Sequence, residues 1–157
     1  MHDIRVVFIL TILYLIGNII GSFASGWISA TYGRKSTLLW SGFPMALSWM
    51  AMGLSTDYTM VYVTSFTHGL FASVPWTSAG AYVSETTERH LRKVLGLCKN
   101  LENSIGFFIT YLLGYLIGWR LTCFVMVAIT GFSIFLILPL PETPYWLIEK
   151  DRHEEAL

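Results

Sequence analysis

The stretch GWISATYGRKSTLLW, residues 26–40, sets one compact basic step, Gly33-Arg34-Lys35, between two stretches that carry no charge. On its N-terminal side no Asp, Glu, Lys or Arg occurs over residues 6–32, and on its C-terminal side none occurs over 36–54. The pattern then repeats along the chain, with uncharged runs at 58–84, 103–119 and 121–140. Each run is close to the roughly 20 residues that cross a hydrocarbon layer about 30 Å thick. A single run is compatible with a buried core helix, whereas five in succession, parted by short charged breaks, exceed what one small core can hide. The chain therefore reads as an all-α, polytopic transmembrane helical bundle of about five spans. They lie near residues 6–32, 36–55, 58–84, 95–118 and 121–140, and a tail follows over 141–157.

Composition agrees. The 157 residues are 54% hydrophobic and 13% charged, about half the charge share of an ordinary soluble domain. Ten Lys and Arg balance ten Asp and Glu, so bulk electrostatics points to no nucleic acid or other charged macromolecule. The partner that composition implies is the lipid bilayer. Cys98 and Cys123 lie in or near apolar runs without disulfide or metal spacing and read as small hydrophobes. Arg5 ahead of an apolar stretch, with Ser22-Phe23-Ala24-Ser25 beyond it, also resembles a cleavable signal. The run continues to Tyr32, however, and the stronger basic flank comes after it, which favours a true span.

Basic residues near span ends mark the cytoplasmic side. The breaks carry Arg5, then Arg34 and Lys35, then only Asp57, then Arg89, Arg92, Lys93 and Lys99, then Arg120 alone, then Lys150 and Arg152. Rich and poor breaks alternate. The expected topology places the Gly33-Arg34-Lys35 turn, the 85–102 segment and the C-terminal tail inside, with the N-terminus outside. Gly17 and Gly21, with Gly26 further on, and Gly114 with Gly118 recur at intervals that let helices approach closely. Pro44 and Pro75 fall inside spans, where proline kinks a helix.

Four motifs, in order, resemble those of the major facilitator sugar porters. GWISATYGRK resembles that family's G-x-x-x-D-R-x-G-R-K loop between its second and third helices. AYVSETTERHLRKVLG, residues 81–96, is similar to its Y-x-x-E segment with a following arginine. GWR, 118–120, resembles the turn before its sixth helix, and PETPYWL, 141–147, resembles P-E-S-P-R-W-L after it. The residues 151–157 are similar to its G-R-x-x-E-A-L continuation, and the motifs in detail resemble those of insect facilitated trehalose transporters. The resemblance implies that the five runs are helices two to six of a twelve-helix fold, so that the chain is a partial N-terminal half without helix one. It further implies a facilitative sugar carrier of trehalose or hexose type, in which this chain is a fragment that does not transport alone. The alternative is a non-transporting membrane partner derived from such a carrier.

The resemblance also assigns roles. Arg34, Lys35, Glu85, Arg92 and Glu142 match the carboxylates and arginines that pair at the inner helix ends and hold the outward-facing state; the bland reading is that they only set topology. Ala30, Thr31, Ser65 and Tyr145 stand where the family carries Asp, Arg, Arg and Arg. Asn100 aligns with a glutamine that hydrogen-bonds the sugar; the bland reading is an amide bonding a neighbouring helix. Glu102 reads as an i,i+3 partner of Lys99. His68 reads as a donor to a backbone carbonyl or to the hydroxyl of Thr64 or Ser65. The final segment from Pro141 onward reads as an amphipathic helix lying on the inner membrane surface. No phosphate-binding glycine loop, nucleophile elbow or metal-ligand cluster is legible, so neither an enzyme nor a cofactor is expected.

Overall fold

The computed structural model describes residues 2–150; the tail motif at 151–157 lies outside the described residues. The chain forms six helices: α1 (His2–Tyr32), α2 (Arg34–Gly53), α3 (Tyr58–Thr86), α4 (Arg89–Ile117), α5 (Trp119–Ile137) and the short α6 (Pro144–Glu149). No strand occurs among the described residues. α1 has 31 residues, which at 1.5 Å per residue is about 46 Å, longer than a hydrocarbon layer is thick. By length and hydropathy alone, α1 over Ile4–Tyr32 and α5 over Trp119–Ile137 qualify as membrane-crossing helices. The other long helices carry more hydroxyl and charged residues.

Two of the connections are single glycines. Gly33, φ 99°, joins α1 to α2, and Gly118, φ 79°, joins α4 to α5. Both torsions lie where a side chain is disfavoured, so glycine permits the chain to reverse without a loop. The sequence offered Gly118 both as a packing partner of Gly114 and as the turn of GWR, and the structure places it at the turn, while a Cβ at Gly114, as at Gly26, would meet nothing within 4 Å.

Packing runs α1 on α3, α3 on α2, α2 on α5, and α5 on α4. The α1–α3 seam is built of glycine. A Cβ on Gly17 would strike the carbonyl of Phe66, one on Gly21 the carbonyl of Leu70, and one on Gly69 the carbonyl of Tyr14. Backbone thus rests on backbone, the arrangement small residues make possible in lipid. The buried residues are mostly polar and small: Ser25, Ser29, Thr37, Ser41, Ser48, Thr64, Ser65, Ser73 and Ser78 among them. Most of these hydroxyls donate to a carbonyl three or four residues back, as Ser48 does to Pro44 at 2.8 Å and Thr64 to Met60 at 2.9 Å, which removes the cost of burying them. Buried hydrophobic side chains among the described residues are Val74, Cys123, Trp146 and Leu147, while Phe8, Phe23, Trp40, Phe108, Tyr115 and Phe132 are exposed. This is the inverse of a soluble core, since the outward surface here is the apolar one.

α4 is the least covered helix. It leans on α5 and touches α3 over a short stretch, and its residues are exposed along almost its whole length, Asn100, Glu102, Asn103 and Ser104 included.

Candidate functional site: a polar latch at one end of the bundle

At the end where α1 turns into α2, three segments far apart in sequence meet. Arg34 opens α2. Its Nε and Nη2 both donate to Glu85 Oε1, at 3.0 and 2.8 Å, and its Nη1 donates to the Ser29 carbonyl at 2.8 Å. The two side chains are only 13% and 15% exposed. One guanidinium thereby neutralises the end of α3 and gives a second donor to the Ser29 carbonyl in the last turn of α1, which also accepts from the Gly33 amide at 3.2 Å. Glu85 uses its other oxygen to accept from Thr143 Oγ1 at 2.7 Å.

Glu142 does something different. Gly33 is the N-cap of α2 and has no side chain to offer. The Glu142 carboxylate takes that place from more than a hundred residues away: Oε1 accepts from the Ser36 amide at 2.8 Å and the Ser36 hydroxyl at 2.9 Å, and Oε2 accepts from the Lys35 amide at 3.1 Å. A negative charge on the open amides at a helix start is stabilised by both hydrogen bonding and the helix dipole. Gly33 also leaves the room, because a Cβ there would lie 2.6 Å from Glu142 Oε1. Trp146 Nε1 donates to the Ala30 carbonyl at 3.0 Å, and Tyr82 donates its hydroxyl to the Pro141 carbonyl at 3.0 Å. The 141–147 segment therefore latches the ends of α1, α2 and α3 together. With Trp146 and Leu147 buried, α6 is docked on protein. The indole and carboxylate of this segment find their partners in the bundle, through Ala30 and the start of α2.

Of the five charged residues singled out in the sequence, the structure brings Arg34, Glu85 and Glu142 into this latch. Lys35 contributes its backbone amide. Arg92 stands apart, exposed, with its Nε on the Thr87 carbonyl at 3.1 Å. Replacing Arg92 with alanine is accordingly expected to change stability by less than about 0.5 kcal/mol, checked by thermal unfolding of the purified protein in detergent. Sequence reasoning missed Ser29, Ser36, Tyr82 and Thr143. Thr143-Pro144 reads as a local helix start, yet Thr143 makes no cap bond within α6; its hydroxyl is committed to Glu85 instead. Nothing local announces that.

Asn100 is exposed on α4, and its carbonyl accepts from Ser104 Oγ at 3.0 Å. The expected Lys99–Glu102 pair does not form. Lys99 Nζ donates to the Trp76 carbonyl at 2.9 Å and lies 4.1 Å from the centroid of the Trp76 ring, a carbonyl dipole and a π face in place of a carboxylate. His68 is corrected as well. Its Nδ1 has no hydrogen-bond partner among the described residues, and the Thr64 hydroxyl is occupied by the carbonyls of Met60 and Val61. Its ring sits between Trp49, at 4.3 Å between centroids, and Tyr14, at 6.0 Å.

An outward apolar surface, a glycine and hydroxyl interior and a polar latch at one end define a polytopic helical membrane protein of the major facilitator architecture. The chain belongs to the sugar (and other) transporter family, whose sequence profile matches residues 4–157. It is 29% identical over 141 residues to the facilitated trehalose transporter Tret1 of Anopheles gambiae, covering 90% of this chain and 18% of that protein. It is 26% identical over 140 residues to the sugar transporter ERD6-like 6 of Arabidopsis thaliana, covering 89% of this chain and 29% of that one. In three dimensions it is similar to the proton:xylose symporter XylE bound to 6-bromo-6-deoxy-D-glucose, with TM-score 0.86, 19% identity, and coverage of 94% of this chain and 37% of that one. A partially occluded inward-open form of XylE from E. coli superposes with TM-score 0.84 at 20% identity, over 92% and 41% of the respective chains. The chain thus spans well under half the length of the relatives it matches.

Proposed function

We propose that this chain serves facilitative transport of a sugar of trehalose or hexose type across the plasma membrane, as one part of a larger set of helices, and that it carries no flux alone. The family match over residues 4–157 carries the proposal. The exposure of Asn100, Glu102, Asn103 and Ser104 on α4 supports it, because polar side chains facing lipid are costly and normally line a cavity or meet another helix. In this reading Asn100 offers an amide donor and acceptor to a sugar hydroxyl. The Arg34–Glu85–Thr143 and Glu142–Ser36 contacts hold the inner helix ends closed, and Lys35 and Arg92 supply charge there. The spans near 6–32, 36–55, 58–84, 95–118 and 121–140 cross the bilayer, with the N-terminus outside and the latch in the cytoplasm.

Proteoliposomes containing this chain alone are expected to take up radiolabelled trehalose or glucose no faster than empty liposomes. Uptake that unlabelled sugar competes away would overturn the claim of incompetence. For orientation, an N-terminal epitope tag is expected to bind antibody on intact cells and a C-terminal tag only after permeabilisation; the reverse labelling would sink the topology.

A non-transporting partner role is the second reading. It is favoured by one contrast: the Gly17, Gly21 and Gly69 seam is intact, whereas Ala30, Thr31, Ser65 and Tyr145 leave four family charges absent. Site-specific crosslinking from α4 to a co-expressed full-length sugar porter, without uptake by either product, would support it.

A further inference from the structure

Between α3 and α4 lies a cavity of 430 Å³ whose lining includes Gly80, Ser84, Arg92, Gly96, Lys99 and Glu102. It exists because two glycines leave its walls bare. A Cβ on Gly80 would meet only the Lys99 ammonium, at 3.0 Å, and one on Gly96 would meet nothing within 4 Å. Arg92 and Lys99 are seven residues apart on α4, two turns and about 10 Å of rise, so both long side chains stem from the same face of the helix and reach this space. Among the described residues neither forms an ion pair. Lys99 rests on the Trp76 carbonyl and ring, contacts weaker than a charge-assisted pair with an anion. Arg92 commits one of its five donors to Thr87. The single carboxylate in the lining, Glu102, lies three residues beyond Lys99 and faces no cation at ion-pair distance among the described residues.

We propose that this cavity binds a phosphate group, held between Arg92 and Lys99, whose attached polyol or amine presents hydroxyl or ammonium donors toward Glu102. Two cations against one carboxylate leave the site net positive, Ser84 adds a hydroxyl, and the glycine walls admit a group larger than water. On binding, the Lys99 ammonium exchanges the Trp76 ring for phosphate oxygens. The site lies apart from the Arg34–Glu85–Glu142 contacts, while Arg92 and Glu102 belong both to it and to the sugar reading above.

The test uses the full chain in neutral maltoside micelles, with glycerol 3-phosphate as the soluble probe and added phosphatidylglycerol as the lipid probe. Thermal stability and tryptophan emission are recorded for the wild type, Lys99→Met, Lys99→Arg, Trp76→Phe and Gly80→Leu, the last filling the cavity while keeping every charged residue. The expected result is a rise in unfolding temperature with one or both probes. Lys99→Met and Gly80→Leu are expected to lose that rise and Lys99→Arg to retain it, and the emission change is expected to vanish in Trp76→Phe. A response to glycerol 3-phosphate identifies a soluble ligand, and a response confined to phosphatidylglycerol identifies a headgroup; both support the site. No shift with either probe, or an equal shift in Lys99→Met and Gly80→Leu, overturns it. The transport proposal stands or falls separately, on sugar uptake.

Discussion

Replacing Gly69 with leucine is expected to abolish recovery of folded, monodisperse protein. Gly69 faces the carbonyl of Tyr14 across the α1–α3 seam, and Gly17 and Gly21 face Phe66 and Leu70 from the other side. The obstacles are backbone atoms, so no rotamer change can make room. Any side chain must push the helices apart, and that separation strips contact from all three glycines at once. Overpacking a fitted interior costs about 1–3 kcal/mol, and three linked backbone contacts place this substitution at or above the upper figure, a large share of a typical folding stability of about 5–15 kcal/mol. Size-exclusion profiles and denaturant titration in detergent check it. Gly114→Leu is the control, since a Cβ there meets nothing and the change is expected to be silent. Equal damage from both would refute the seam as the reason.

The second large effect is at the latch. Glu85→Met leaves the Arg34 guanidinium mostly buried with only the Ser29 carbonyl, and leaves Thr143 without its acceptor. Breaking one half of a buried pair costs about 3–5 kcal/mol; exposures of 13% and 15% let some water reach the orphan, so about 3 kcal/mol is expected. Arg34→Met is expected to cost a similar amount. The double variant Arg34→Met/Glu85→Met removes both charges and is expected to be more stable than either single variant, because the large penalty belongs to the unpaired charge. A double-mutant cycle with no coupling would show that the ion pair is incidental to the bundle.

Much of the fold was legible in the sequence because membrane helices announce themselves through what they lack. The uncharged runs and the one-residue turn at Gly33 lie where the helices and their reversal are found, and Gly17 and Gly21 read as a packing face. α4 was less clear. Arg92, Lys99 and Glu102 suggested a charged segment ahead of a span, whereas α4 is continuous from Arg89 to Ile117, since none of these residues breaks a helix. In the site, Arg34, Glu85 and Glu142 stand out as charges at the ends of apolar runs, and charge is rare enough here to be noticed. Ser36, Tyr82 and Thr143 do not, because hydroxyls are abundant throughout and only tertiary contact separates a latch hydroxyl from one that bonds its own helix. Lys99 was misassigned for a related reason. Spacing offered Glu102 as a partner, but the Trp76 ring, on another helix, is invisible to spacing.

The far-reaching cap on α2 also fixes an order of events during synthesis. Arg34 and Glu85 are 51 residues apart, whereas Ser36 and Glu142 are 106 apart. As the chain leaves the ribosome, the guanidinium gains its carboxylate once the third helix has emerged, but the first amides of the second helix stay open until the fifth has followed. Nascent chains arrested before residue 142 therefore hold that helix start uncapped, and a segment made later completes one made earlier.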